Sequence, residues 1–168
     1  HLIDGAADAV RRFTEAEYRC VLITNQSAIG RGMITEETLN DIHHRLVELL
    51  AAEDASLDAI YYCPEAPDGG DEFTVSSPDR KPGAGMLLRA ADDLNLDLSR
   101  SWMIGDRFSD VLAGVNAGCR GSLRVRSGYH YPDGELDLSC HYHTMETIGD
   151  AAQFILSGGA SCSECSLT

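Results

Sequence analysis

The sequence has 168 residues, 43% of them hydrophobic, and a formal net charge of −14. That length sustains one sizeable core without a second domain, and the charge repels nucleic acid and anionic membrane surfaces, which points to small partners; a long acidic loop and the lack of a leucine seam give no reason to expect more than a monomer. No run approaches the ~18 apolar residues of a membrane-spanning helix, no signal peptide is visible, and the six scattered cysteines read as reduced thiols of a cytoplasmic protein.

In chain order, Gly5 to Ala16 places Ala6, Ala9, Val10 and Phe13 on one helical face, and Cys20 to Thr24 follows as a short buried strand. Thr35 caps a second helix, with Glu36 and Glu37 in its first turn and Leu39, Ile42, Leu46, Leu49 and Leu50 as its apolar stripe. Leu57 to Cys63 reads as a strand, and Pro64 to Pro82 as a long irregular loop of the kind that is functional or disordered. Beyond it the pattern predicts a helix from Gly85 to Leu94, a strand from Ser101 to Ile104, a helix from Asp110 to Ala117 and a strand from Gly121 to Val125. A weak strand near His141 to Thr144 then leads to a helix ending near Leu156.

The Ser/Gly-rich end from Ser157 reads as a flexible tail. Its Cys162-x-x-Cys165 pair, with His141 or His143 as imaginable co-ligands, lacks the second pair that a zinc site needs. The alternation predicts one α/β domain over residues 1–156, a Rossmann-like parallel sheet with helices on both faces. Ligands of such sheets gather outside the carboxyl ends of the strands, and Thr24 and Asp106 both fall just past a strand end.

The polar residues at that rim suit phosphoryl transfer, which is mostly positioning and electrostatic stabilisation. Thr24 offers a hydroxyl, and the turn from Asn25 through Gln26 to Ser27 offers amides, although Thr-Asn after a strand is also ordinary turn chemistry. Arg80 and Lys81 stand just before a Pro-Gly turn that opens a helix, isolated in an acidic chain, so they are expected near a bound anion. In Gly105-Asp106-Arg107-Phe108-Ser109-Asp110, Asp106 can ligate a hard cation such as Mg²⁺. Asp110 is placed to reach the metal, its waters or Lys81, unless it serves as a helix cap.

Four segments, Val21 to Gly32, Ile60 to Pro64, Arg80 to Leu88 and Ser101 to Asp106, resemble the Mg²⁺-dependent phosphatases of the haloacid dehalogenase superfamily. They are most similar to heptose 1,7-bisphosphate and histidinol-phosphate phosphatases. The resemblance runs from about Leu2 to Val125. It implies that Thr24 and Lys81 stabilise the phosphoryl group, that Arg80 recognises substrate, and that Asp106, which binds Mg²⁺, and the catalytic Asp110 form the family's acidic pair. Asn25, Gln26, Ser27 and Arg31 would line the pocket, and Arg107 stands where the family commonly has lysine.

Two departures stand out. Where the family often carries a Cys/His zinc loop, this chain has Cys63, Glu65, Ser77 and Asp79, so zinc is not expected. The family's first motif, Asp-x-Asp-Gly, is also missing. In the family its strand lies mid-sheet, between the strands read here at Cys20 and Ser101. The sheet is therefore expected to lack that central strand, with His1 a truncation point and the chain inactive by itself for want of its nucleophile. A phosphate-binding relic without chemistry is the alternative, and a polynucleotide 3′-phosphatase is disfavoured by the charge.

Overall fold

The computed structural model describes residues 1–67, 77–127 and 142–159. Positions 68–76 of the long loop, His141 and the tail from residue 160, with Cys162 and Cys165, lie outside the described residues.

In order, the elements are α1 (Ala6–Glu15), β1 (Val21–Asn25), α2 (Ser27–Gly30), α3 (Glu36–Ala51), β2 (Ala59–Cys63) and α4 (Gly85–Leu94). There follow a 3₁₀ turn (Leu98–Arg100), β3 (Trp102–Gly105), α5 (Phe108–Asn116), β4 (Gly121–Val125), β5 (Tyr142–Met145) and α6 (Ile148–Leu156). The strands form two parallel pieces, β1–β2 and β3–β4–β5. Thr24 lies opposite Tyr62 in the first, and Gly105 opposite Arg124 in the second.

Local chemistry accounts for the element ends. Thr35 caps α3 by accepting from the Thr38 amide at 3.1 Å, and Thr147 and Asp150 close a reciprocal box at the start of α6. Asn95, in the left-handed region at φ 51°, ends α4. Two boundaries differ from the sequence reading. The turn expected after β1 is a single helical turn, α2, and α5 starts at Phe108 rather than Asp110. Asp110 is the third residue of α5, where its carboxylate accepts from the Arg107 amide at 3.0 Å.

Side chains alternate across the strands into two packing layers. Trp102 and Ile104 of β3 face α1 and α6, where Ala9, Phe13, Ala152 and Ile155 are buried together with Leu123 of β4. Met103 faces the other way, joining Leu87 of α4, Ala113 of α5 and Ile23 of β1. Helices on both faces of parallel strands thus match the expected architecture. Gly114 shows how closely α5 seats, because a Cβ there would strike Ser122 and Met103.

The α3 stripe is narrower than expected. Leu39 and Leu50 are buried, but Ile42 is 51% exposed. Leu39, Leu46 and Leu50 lie within about 20° of one line along the helix, whereas Ile42 sits about 60° to one side. Cys20 and Cys119 pack as small hydrophobes, and burial pushes both thiols up to about 11, so they stay protonated. No helix among the described residues is long and apolar enough to cross a membrane.

His43 of α3 tilts against Tyr62 of β2, ring centroids 5.9 Å apart, and its Nε2 is buried without a partner among the described residues. Burial, and secondarily the neighbouring His44, lowers its pKa. The unfolded chain therefore binds a proton at His43 that the folded chain refuses. His43 contributes stability above the ordinary histidine value of about 6.5, and that contribution is lost as the pH falls below it. Urea midpoints measured between pH 7.5 and pH 5 should fall less steeply for His43→Leu than for the unaltered chain, and equal slopes would refute this account.

Candidate active site

The carboxyl ends of β1 and β3 face the same rim, and the segment 80–82 before α4 crosses between them. Its centre is Lys81, the only lysine in the sequence against twelve arginines, and only 8% exposed. Its ammonium donates to the Ile23 carbonyl of β1 at 2.7 Å and meets the Asp110 carboxylate at 2.6 Å. Asp110 is itself only 5% exposed. Lys81 thereby links β1 to the helix that follows β3. Of the three partners open to Asp110 in the sequence, the structure brings Lys81 to it, and the same carboxylate serves as the cap on Arg107.

Gly105 leaves room for this pair. A Cβ at that position would run into the Asp110 carboxyl group, so the glycine before Asp106 is a packing requirement of the ion pair.

Asn25, expected to line the pocket, is committed elsewhere. Its carbonyl oxygen accepts from the Lys81 amide, and its Nδ2 donates to the Lys81 carbonyl, both at 3.0 Å. This two-point grip makes Asn25 a holder of Lys81. Gln26 donates from its backbone to the Cys63 carbonyl at 2.7 Å and from Nε2 to the Thr24 hydroxyl at 3.2 Å. Ser27 opens α2, while Arg31 stands exposed at its end, outside this network.

Arg80 is 7% exposed. Its Nη1 donates to the Glu65 carbonyl at 2.7 Å, and its Nε is buried without a partner among the described residues. A buried guanidinium N–H in that state is a donor suited to an incoming oxygen. Asp106 and Arg107 lie between β3 and α5, where the Asp106 carbonyl accepts from Arg124 Nε at 3.4 Å. Arg124 in turn lies 4.3 Å over the Phe108 ring. Asp79, at one of the positions of the family's zinc loop, pairs with Arg89 at 2.8 Å.

Sequence reasoning missed two contacts. The Ile23 carbonyl is a backbone group with no side-chain signature. Asn116 donates to the Pro82 carbonyl at 2.9 Å, yet in sequence it reads only as a residue near a helix end.

Over most of its length the chain is similar to known proteins. A family profile described as HAD-hydrolase-like matches residues 79–151. The chain is 46% identical over 133 residues to a D-glycero-D-manno-heptose-1,7-bisphosphate 7-phosphatase of Thermosynechococcus vestitus, covering 76% of this chain and 67% of that protein. A D-glycero-beta-D-manno-heptose-1,7-bisphosphate 7-phosphatase of Pasteurella multocida is 35% identical over 91% of this chain and 82% of its own length. Among solved structures, the D,D-heptose 1,7-bisphosphate phosphatase of B. bronchiseptica, complexed with magnesium and phosphate, superposes with a TM-score of 0.74 at 30% identity. That match covers 92% of this chain and 83% of the other.

The buried pair sets a stability test. Asp110→Ala leaves the buried Lys81 ammonium without its counter-charge and should cost about 3–5 kcal/mol. The double variant Lys81→Met/Asp110→Leu should recover most of that loss, short of about 1 kcal/mol for the cap on α5. Urea denaturation measures both, and a double variant as unstable as Asp110→Ala would show that the ion pair is not the reason for the loss.

Proposed function

This chain belongs to the haloacid dehalogenase superfamily, and from that premise we propose that it serves a Mg²⁺-dependent phosphatase of small sugar phosphates, D-glycero-D-manno-heptose 1,7-bisphosphate foremost. The observation that carries the proposal is the state of Lys81. An ammonium has three donors. Ile23 and Asp110 take two, which leaves one for a phosphoryl oxygen at the rim.

The other residues divide the remaining work. The Thr24 hydroxyl lies one residue before Asn25 at the same strand end and offers its proton to a second phosphoryl oxygen. Arg80, held through Nη1, presents Nε to the substrate. Arg107 adds a cation where the substrate body would lie. Because these groups are fixed before substrate arrives, they stabilise developing charge without reorganising.

The donors suit a hard cation in part. Asp106 gives carboxylate oxygen at the rim, but both oxygens of Asp110 are engaged, and the described residues hold no cluster of three metal-binding side chains. Mg²⁺ accepts such a site, since it is commonly held by one or two carboxylates with water and phosphate oxygens. Bound beside Asp106, it would neutralise the charge of the phosphate.

A nucleophile must come from elsewhere, because the 168 residues contain no Asp-x-Asp pair. We place it on a strand between β1 and β3, whose facing edges are not paired with each other among the described residues. Its first aspartate would attack phosphorus to give an aspartyl-phosphate. The second would protonate the leaving oxygen and then activate the water that releases phosphate. The absent pair also favours a second reading, a module that binds phosphate without turning it over.

Release of phosphate from heptose 1,7-bisphosphate and from histidinol phosphate, with and without Mg²⁺, separates the readings. The chain alone should bind inorganic phosphate without turnover. A version extended by a strand bearing Asp-x-Asp-Gly should be active with Mg²⁺, prefer the heptose, and lose about 10²–10³ in kcat on Lys81→Met. No turnover in the extended form would favour the binding module.

A further inference from the structure

The segment that carries Lys81 is gripped a second time, by the last residue of α5. Asn116, the last residue of α5, sends its Nδ2 across to the Pro82 carbonyl at 2.9 Å. At the other end of the same helix, Asp110 holds the Lys81 ammonium. One helix therefore grips the lysine side chain in its first turn and the next residue's backbone in its last, about 9 Å further along its axis.

Asn116 is not needed to close its own helix. The end of α5 is finished by backbone bonds from Gly118 to the Val115 carbonyl and from Cys119 to the Gly114 carbonyl, with Gly118 in the left-handed region at φ 75°. The position of α5, in turn, does not depend on the loop. Ser122 of β4 donates to the Val111 carbonyl of α5 at 3.0 Å, and Gly114 lies against Met103 and Ser122. The helix is a fixed frame, and its Asn116 amide transfers that frame to the buried Pro82.

We propose that Asn116 is a positioning residue for Lys81. Four rotatable bonds separate the lysine backbone from its ammonium, so Asp110 alone permits many paths between them. Asn25 holds the Lys81 amide and carbonyl to β1, and Asn116 holds the next carbonyl to α5. With both in place the side chain starts from a set point relative to Asp110, and its third proton is aimed at the rim. The inference rests on the reading of Lys81 as the phosphate-binding cation, and it concerns a residue that touches no substrate.

Because Lys81 is the only lysine, ¹³C-lysine labelling gives the side-chain signals of this residue alone. In the unaltered chain the two ε-protons should be inequivalent, as on a fixed side chain, and should shift on titration with inorganic phosphate. Asn116→Leu, similar in size and without a donor, should merge them into one averaged signal and weaken phosphate binding about tenfold. Asn116→Ala serves if the leucine variant does not fold, and Asn116→Gln, which keeps a donor, should restore the split signals. Val115→Ala is the control for stability lost at the same helix end. If Asn116→Leu lowers the urea midpoint as Val115→Ala does, while the ε-signals and phosphate affinity match the unaltered chain, the positioning role is overturned. Signals that phosphate does not move in the unaltered chain would count against the phosphatase reading, and the splitting would still decide the role of Asn116.

Discussion

An ammonium and a carboxylate taken out of water together are the constraint on which the rest of this site depends. Each ion loses several kcal/mol of hydration, and the pair holds only if its geometry is good and its remaining donors and acceptors are met. Lys81 and Asp110 come close to this through contact at 2.6 Å, the Ile23 carbonyl on one side and the Arg107 amide on the other, with one ammonium proton left for a phosphoryl oxygen. A buried pair of this kind is a weak source of stability. Its effect is to set position, since any displacement leaves a charge unpartnered.

The surrounding residues follow from that requirement. Gly105 lacks a side chain because the Asp110 carboxyl occupies the space a Cβ would need. Asn25 engages both the nitrogen and the oxygen of its amide with the Lys81 backbone, and Asn116 reaches Pro82 from the far end of α5. The two sheet pieces, which share no hydrogen-bonded strands among the described residues, are joined at the rim by Lys81. Function and architecture thus meet in one side chain: the cation proposed to hold phosphate also ties β1 to the helix after β3.

Much of this was legible in the sequence, for identifiable reasons. Short β-branched and apolar runs ending in polar residues marked β1 and β3, and the strand ends placed Thr24 and Asp106 on one rim. Lys81 could be named among the possible partners of Asp110 because Asp110 falls four residues past the strand-end Asp106, within reach of the groups that gather at that rim. What sequence could not show was which atoms are already spent. Asn25 has the polarity of a pocket residue, and only its geometry reveals that both ends of its amide are taken. Ile42 has the periodicity of a core residue, but the angular width of the buried stripe depends on what packs against it. The start of α5 was misplaced because Asp110 can cap from inside the helix.

The most direct test of the central claim is a crystal structure of the chain grown with inorganic phosphate and Mg²⁺. The account predicts a phosphate oxygen within hydrogen-bond distance of Lys81 Nζ, with the Ile23 and Asp110 contacts intact and the metal beside Asp106. Phosphate bound away from the rim, or a Lys81 that abandons Asp110 to reach it, would contradict the account.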